Sequence, residues 1–303
     1  MKNLFKILFL FLLFALVYIY QNNIVEFILD NYIYKKNTYL LTNNEYALDY
    51  DYSYVSITDD FYAKNKQQIL DIFYTYLNSG TREFYFFCEY DGCENDVSSF
   101  TNNNIFGNLN NFVSPYNTYN KLYISISPWG KVEISINKAY SNNEITAVES
   151  KIDEIIEKII TNDMTDREKI KAFHDYVINN TKYDSDYVDD NLNDMYNYSH
   201  KATGALLYSK ALCGGYSHSM ALFLNKLKIP NYRISSDTHI WNLVYLDNKW
   251  YHLDLTWDDP ITSNKKDVLL DEYFLIETKK LKNLNTAHHD FDETIYKEAI
   301  QKY

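Results

Sequence analysis

Residues 200–258 read HKATGALLYSKALCGGYSHSMALFLNKLKIPNYRISSDTHIWNLVYLDNKWYHLDLTWD, and the fold is decided there. The hydrophobic period changes along this stretch. After Cys213-Gly214-Gly215, the residues Met220, Ala221, Leu224 and Leu227 recur at helical spacing until Pro230 stops them. A helix of roughly 13 residues, about 20 Å long, is therefore expected to open at the cysteine. Beyond it, His239–Leu246 and Lys249–Asp254 read as two strands around Asp247-Asn248, a two-residue hairpin turn.

That turn fixes which side chains meet. It sets Leu246 opposite Lys249, and counting back sets Trp241 opposite Asp254. His239, two residues along from Trp241, points to the same face as Asp254 and is its diagonal neighbour, about 7–8 Å away by Cα. An odd-length loop would break the parity. Given the turn, a carboxylate can orient an imidazole whose other nitrogen faces Cys213. Unpaired N–H groups and the helix dipole at the start of a helix would stabilise a Cys213 thiolate. The two glycines are expected to let a substrate backbone approach the sulfur, and N–H groups of the turn to receive an oxyanion. A lone cysteine is more often a small buried residue; the shared face of His239 and Asp254 outweighs that reading.

The other histidines read as structural. His252 lies on the same face, opposite Leu243 and farther from His239. His174 and His218 belong to helices, and His288-His289 sits in a polar C-terminal stretch without ligand spacing. No cofactor motif is present, and no motif supports a metal site.

These residues resemble the transglutaminase-like superfamily of papain-type folds, particularly bacterial members akin to cytokinesis-associated transglutaminase-like proteins. The resemblance is carried by ALCGGYSHSMALFLNKLKIP (211–230) and THIWNLVYLDNKWYHLDLTWDDP (238–260). IKAFHDYVINNTKYD (170–184) and EYFLIETKKL (272–281) add to it, so it covers about 145–290. It implies an α+β fold with a papain-like transglutaminase core, in which the nucleophile helix lies on an antiparallel sheet. It also implies Cys213 as nucleophile, His239 as base and Asp254 as orienting acid. Leu212 and Ile240 depart mildly from the family pattern without touching the triad, and the family's upstream oxyanion-hole side chain is not placed.

The remaining chain sets the context. Net charge is −12 with no basic stripe beyond the extreme N-terminus, which disfavours nucleic-acid binding. Tyrosine is abundant, 31 in 303 residues, and is read as composition bias before a sugar- or peptide-binding surface. Lys2 and Lys6 precede an apolar run from Ile7 to Tyr20 without a convincing cleavage site. Residues 1–22 are therefore expected to form an uncleaved signal anchor or transmembrane helix, with the remainder outside the cytoplasm, or secreted if the segment is removed. Residues 23–45 read as a connector. Residues 46–140 read as a smaller α+β domain of unknown role: a strand at 51–58, a helix at 65–77, a strand at 83–89, and a hairpin around Pro128-Trp129-Gly130. Residues 141–303 form the transglutaminase-like domain. It opens with a charged helix at 142–160 and a second helix behind the capping box Thr165–Glu168. The acidic stretch 184–194 lacks the spacing of a calcium loop and reads as solvated. Cys88 and Cys93 either close a short disulfide, as in an exported protein, or stay reduced.

The expected activity is cysteine-dependent acyl transfer on a peptide or protein amide of the cell envelope, through a thioester. Release to water, as a peptidase or amidase, is preferred over a cross-linking transglutaminase. A non-catalytic envelope scaffold is the alternative from another class.

Overall fold

The computed structural model describes residues 2–28, 44–102, 104–185, 197–260, 268–284 and 287–301. The chain divides into two compact units, Met1–Leu41 and Thr42–Tyr303. In the first unit, α1 runs from Lys2 to Ile28. The membrane expectation finds no support in it: no helix among the described residues is long and apolar enough to cross a membrane. Most of the connector lies outside the described residues.

The second unit begins with a four-stranded sheet. Its elements are β1 (Tyr62–Ala63), α2 (Lys66–Asn78), β2 (Glu83–Cys88), α3 (Cys93–Asn102), α4 (Ile105–Asn108), β3 (Tyr119–Ile126) and β4 (Lys131–Lys138). Sheet order is β1-β2-β4-β3, with the β1–β2 pair parallel. Asn65 caps α2 by accepting from the Gln68 N–H, and Gly80 at φ +75° lets the chain turn away. The hairpin forms as expected, Ile126 pairing Val132. Cys88 and Cys93 are disulfide-bonded.

The strand expected at 51–58 is absent. The Tyr52 N–H donates to Val55 O, and the Ile57 N–H donates to Asp51 Oδ1, so the segment closes on itself as turns. The segment serves tertiary packing instead: Tyr52 and Val55 are buried, and Tyr52 Oη donates to Asn231 O.

Next come α5 (Asn142–Ile159), α6 (Asp166–Asn180), β5 (Lys182–Tyr183), α7 (Ala202–Leu207), β6 (Lys210–Ala211), α8 (Cys213–Lys226), β7 (Asn231–Ser235), β8 (Ile240–Leu246), β9 (Lys249–Leu253) and α9 (Thr278–Leu284). Capping boxes Ser141–Glu144 and Thr165–Glu168 open α5 and α6. Strands β7-β8-β9 form an antiparallel sheet, and α8 packs against β7 and β8. Phe173 of α6 stacks on Phe223 of α8 at 4.1 Å between centroids, which ties a second helix to the first.

One hydrophobic core is continuous across residue 140. Tyr116, Ala139 and Tyr140 share one hydrophobic cluster with α5, α6, α7, α8 and β8. A second, aromatic cluster joins Tyr52, Phe112, Tyr232 and Tyr296. Beside it the buried Arg233 guanidinium donates to the carbonyls of Asn110 and Val113. Many tyrosines therefore do the work of aliphatic core residues, their hydroxyls bonded to backbone or side chains.

Candidate active site

Cys213 is the first residue of α8, and it is the free cysteine among the described residues. Its side chain is partly exposed. What sets it there is a backbone clamp: the Leu212 N–H donates to Ser199 O at 2.8 Å, and the Gly215 and Tyr216 N–H groups donate to Leu212 O. The two glycines serve this clamp. A Cβ on Gly214 would lie 2.7 Å from His200 O, and one on Gly215 would lie 2.7 Å from Ser199 O. The sequence reading gave that space to a substrate; the protein's own 199–200 backbone occupies it.

The Asp247-Asn248 turn has both residues at positive φ, 51° and 62°, the signature of a type I′ hairpin. Leu246 pairs with Lys249, and the ladder continues to Asn242 opposite Leu253, so Trp241 and Asp254 follow in register. His239 is held by its own N–H, which donates to Ser236 Oγ, and by its ring, which stacks on Trp241 at 5.6 Å. His239 Nε2 lies 2.6 Å from Asp254 Oδ2, and Cys213 lies close enough to the same ring to favour its charged form. The three residues are thus brought together.

The electrostatics follow from the geometry. Burial disfavours charge on His239, but the Asp254 carboxylate and the Cys213 side chain outweigh it and push the imidazole up to about 10. Burial likewise works against the Asp254 carboxylate, and His239 and His289 overcome it, holding the acid well below the usual carboxylate range. An ionised carboxylate only accepts, so the Nε2 hydrogens must be donated to it. Its other oxygen, Oδ1, accepts from the Thr256 and Trp257 N–H groups at 2.9 and 3.2 Å. All contacts of the carboxylate are donors.

His289 is the residue that sequence reasoning passed over. It is buried, and its Nε2 lies 2.8 Å from the same Oδ2 that receives His239. Its ring stacks on Tyr273 and meets the edges or faces of Trp241 and Trp257 at about 5 Å. No local pattern could have found it; only the path of the C-terminal segment delivers it.

The other histidines are placed by bonds of their own. His252 accepts from Trp241 Nε1–H at Nδ1 (3.0 Å), and its Nε2 is 2.9 Å from Thr278 Oγ1. Burial first, and then the neighbouring His289, push its pKa down to about 3. His218 is bonded to Tyr140 Oη at 3.0 Å and is held well below the ordinary imidazole value by burial. His174 Nε2 lies 3.1 Å from Asp258 Oδ2, tying α6 to the turn that carries Asp254. Asp184, expected in a solvated loop, is buried and accepts from Ser199 Oγ and Lys210 Nζ; 186–194 lie outside the described residues. Tyr183 lies near Cys213: burial, and then Cys213 and Asp184, raise its phenol.

Two groups offer metal-ligand spacing among the described residues. His239, Asp254 and His289 present donor atoms within 4.8 Å of one another, atoms already joined by the hydrogen bonds above. In His174, Asp175 and Asp271, Lys171 Nζ sits between the carboxylates at 2.6 and 2.9 Å and supplies the cation itself.

Residues 153–255 match the model of the family described as the transglutaminase-like superfamily. No curated protein matches the chain. Two solved structures are similar over part of it. One is a TGase, 20% identical over 55% of this chain and 49% of its own, with a TM-score of 0.36. The other is a candidate cysteine protease from Cytophaga hutchinsonii, 10% identical over 50% of this chain and 65% of its own, with a TM-score of 0.28. The chain therefore spans about half the length of the first and just under two thirds of the second.

Proposed function

We propose that this chain, a member of the transglutaminase-like superfamily through residues 153–255, catalyses acyl transfer from a peptide or protein amide by way of Cys213. The observation that carries the reading is the 2.6 Å contact of His239 Nε2 with Asp254 Oδ2, on a ring whose charged form Cys213 at the start of α8 favours. In the proposed reaction the Cys213 sulfur, as thiolate, attacks the amide carbonyl carbon and the carbonyl oxygen takes up negative charge. The N–H groups of Cys213 and Gly214, which precede the Gly215 and Tyr216 N–H groups that donate to Leu212 O, would receive that charge. His239, protonated, gives its proton to the departing amine as the C–N bond breaks, and a thioester remains.

His239, now neutral, takes a proton from the incoming nucleophile. Water yields the carboxylic acid and restores the thiolate–imidazolium pair; a lysine amine yields an isopeptide. We favour hydrolysis, since water needs no binding site of its own. Export is part of the proposal, supported by the basic-then-apolar N-terminus and by the Cys88–Cys93 disulfide, a bond characteristic of oxidising compartments.

A peptide-library digest of the Thr42–Tyr303 unit within the full chain, run with and without a primary amine, tests this. Cleaved peptides carrying new carboxyl termini support hydrolysis, and amine adducts support transfer. Neither product above the Cys213→Ala background would sink the enzymatic reading in favour of a scaffold.

A further inference from the structure

The C-terminal segment, downstream of the matched family region, reaches the centre of the site. Its contacts begin at the histidine loop: Ser236 Oγ donates to His288 O, and Thr238 Oγ1 is bonded to His288 Nδ1. One residue further, His289 turns inward to Asp254. Phe291 then packs on Trp241 and His252, and Tyr296 enters the aromatic cluster, bonded to Asn111 and Ser235. Glu298 accepts from the Ser53 N–H and Tyr232 Oη. The segment is anchored at both ends, so His289 is delivered by a rigid path.

Two imidazoles consequently share one carboxylate oxygen. Each Nε2–H donated to Oδ2 withdraws negative charge from it, so the second donor weakens the hold of Asp254 on the proton of His239. It also removes rotational freedom from the carboxylate, whose Oδ1 is already pinned by two backbone N–H groups. The charged and titratable groups around His289 come from every side. They are His239 on the histidine loop, His252 on β9, Asp254 at the end of that strand, and Tyr273 stacked on the ring. Lys282, Asp290 and Glu293 line the cavity of about 390 Å³ that His289 borders.

We propose that His289 is a positioning residue of the site: by donating Nε2–H to Asp254 Oδ2 beside His239, it fixes the carboxylate and tempers the basicity of His239. This rests on the reading of Cys213, His239 and Asp254 as the reactive set. The C-terminal segment is therefore a working part of the site, which a truncation at the end of the family region would remove.

The test compares wild type with His289→Phe, which keeps a ring without a donor, and His289→Gln, whose amide nitrogen can donate from a similar reach. NMR titration of ¹⁵N-labelled histidines reads the His239 midpoint directly, with melting curves as the check of fold. His289→Phe is expected to move that midpoint upward by about half a pH unit or more, with His289→Gln returning it toward wild type. On a cleaved substrate, kcat should fall about tenfold in the Phe variant with KM within about twofold. An unchanged midpoint in a folded His289→Phe overturns the proposal, as does a Gln variant that behaves like Phe. If the Phe variant does not fold, the Gln variant and wild type decide. A hydrogen-bonded His289 Nε2–H resonance in wild type supports the proposal, and its absence overturns it. The NMR arm needs no turnover, so a protein without amidase activity would refute the function while leaving this coupling measurable.

Discussion

His239 Nε2 lies 2.6 Å from Asp254 Oδ2, and fifteen residues of chain, folded as one tight hairpin, bring them there. Replacing Asp254 by Asn leaves the two backbone N–H bonds to its Oδ1 available, yet turns an NH2 group toward two imidazole donors. The ring of His239 would then lose its tautomer and its proton. Asp254→Asn is expected to lower kcat by about 10²–10⁴-fold with a folded protein by circular dichroism. Activity within tenfold of wild type would show that the carboxylate does not act through His239.

How much of this was legible in the sequence depends on the range of the contact. The His239–Asp254 pairing follows from strand parity across a two-residue turn, a short-range rule that needs no knowledge of the rest of the chain. His289 meets Asp254 across 35 residues through a segment without a regular period, so nothing local announced it. The alternation at 51–58 reads as a strand, but the residues it buries, Tyr52 and Val55, are three apart, and local hydrogen bonds close the segment instead of a ladder. The glycines after Cys213 were assigned the right property and the wrong neighbour, since the 199–200 carbonyls come close only in the folded chain.

Those glycines give a second prediction. Gly214→Ala puts a methyl group 2.7 Å from His200 O, a backbone atom that cannot swing aside. Either α8 shifts or the 199–201 turn does, and Cys213 moves with it. Thermal melting should report a loss of about 1–3 kcal/mol, and catalysis should fall more than stability does. A variant with wild-type melting temperature and activity would contradict the clamp.

Stability should depend on pH in two directions. His252, at about 3, and His218, also depressed, are neutral when folded and take up protons when unfolded. Between about pH 6.5 and 3 the unfolded chain therefore binds more protons, and stability falls as pH falls. His239, raised to about 10, works oppositely: its contribution is complete below about pH 6.5 and is lost as pH rises through 10. Asp254 adds stability above the ordinary carboxylate range that is lost on acidification. Melting temperature should peak near neutrality, and His252→Asn should flatten the acid limb. An acid limb unchanged in that variant would argue against a buried neutral His252.

Arg233 is a buried cation, held by two carbonyls from the segment that follows α4. Burial pulls its pKa down to about 10. Arg233→Ala strands the carbonyls of Asn110 and Val113 and opens a void between them and β7. A loss of about 3 kcal/mol or more is expected by urea unfolding. The same midpoint as wild type would mean that this junction carries little of the stability.

The central claim is that the Cys213 sulfur reacts as a thiolate paired with a protonated His239 ring. With Cys88 and Cys93 joined, alkylation of the intact protein at pH 7 reads Cys213 as the free thiol among the described residues. The rate with iodoacetate, whose negative charge is drawn to a protonated imidazole, should fall about tenfold or more in His239→Ala, with the variant still folded. Equal rates in the two proteins would contradict the account.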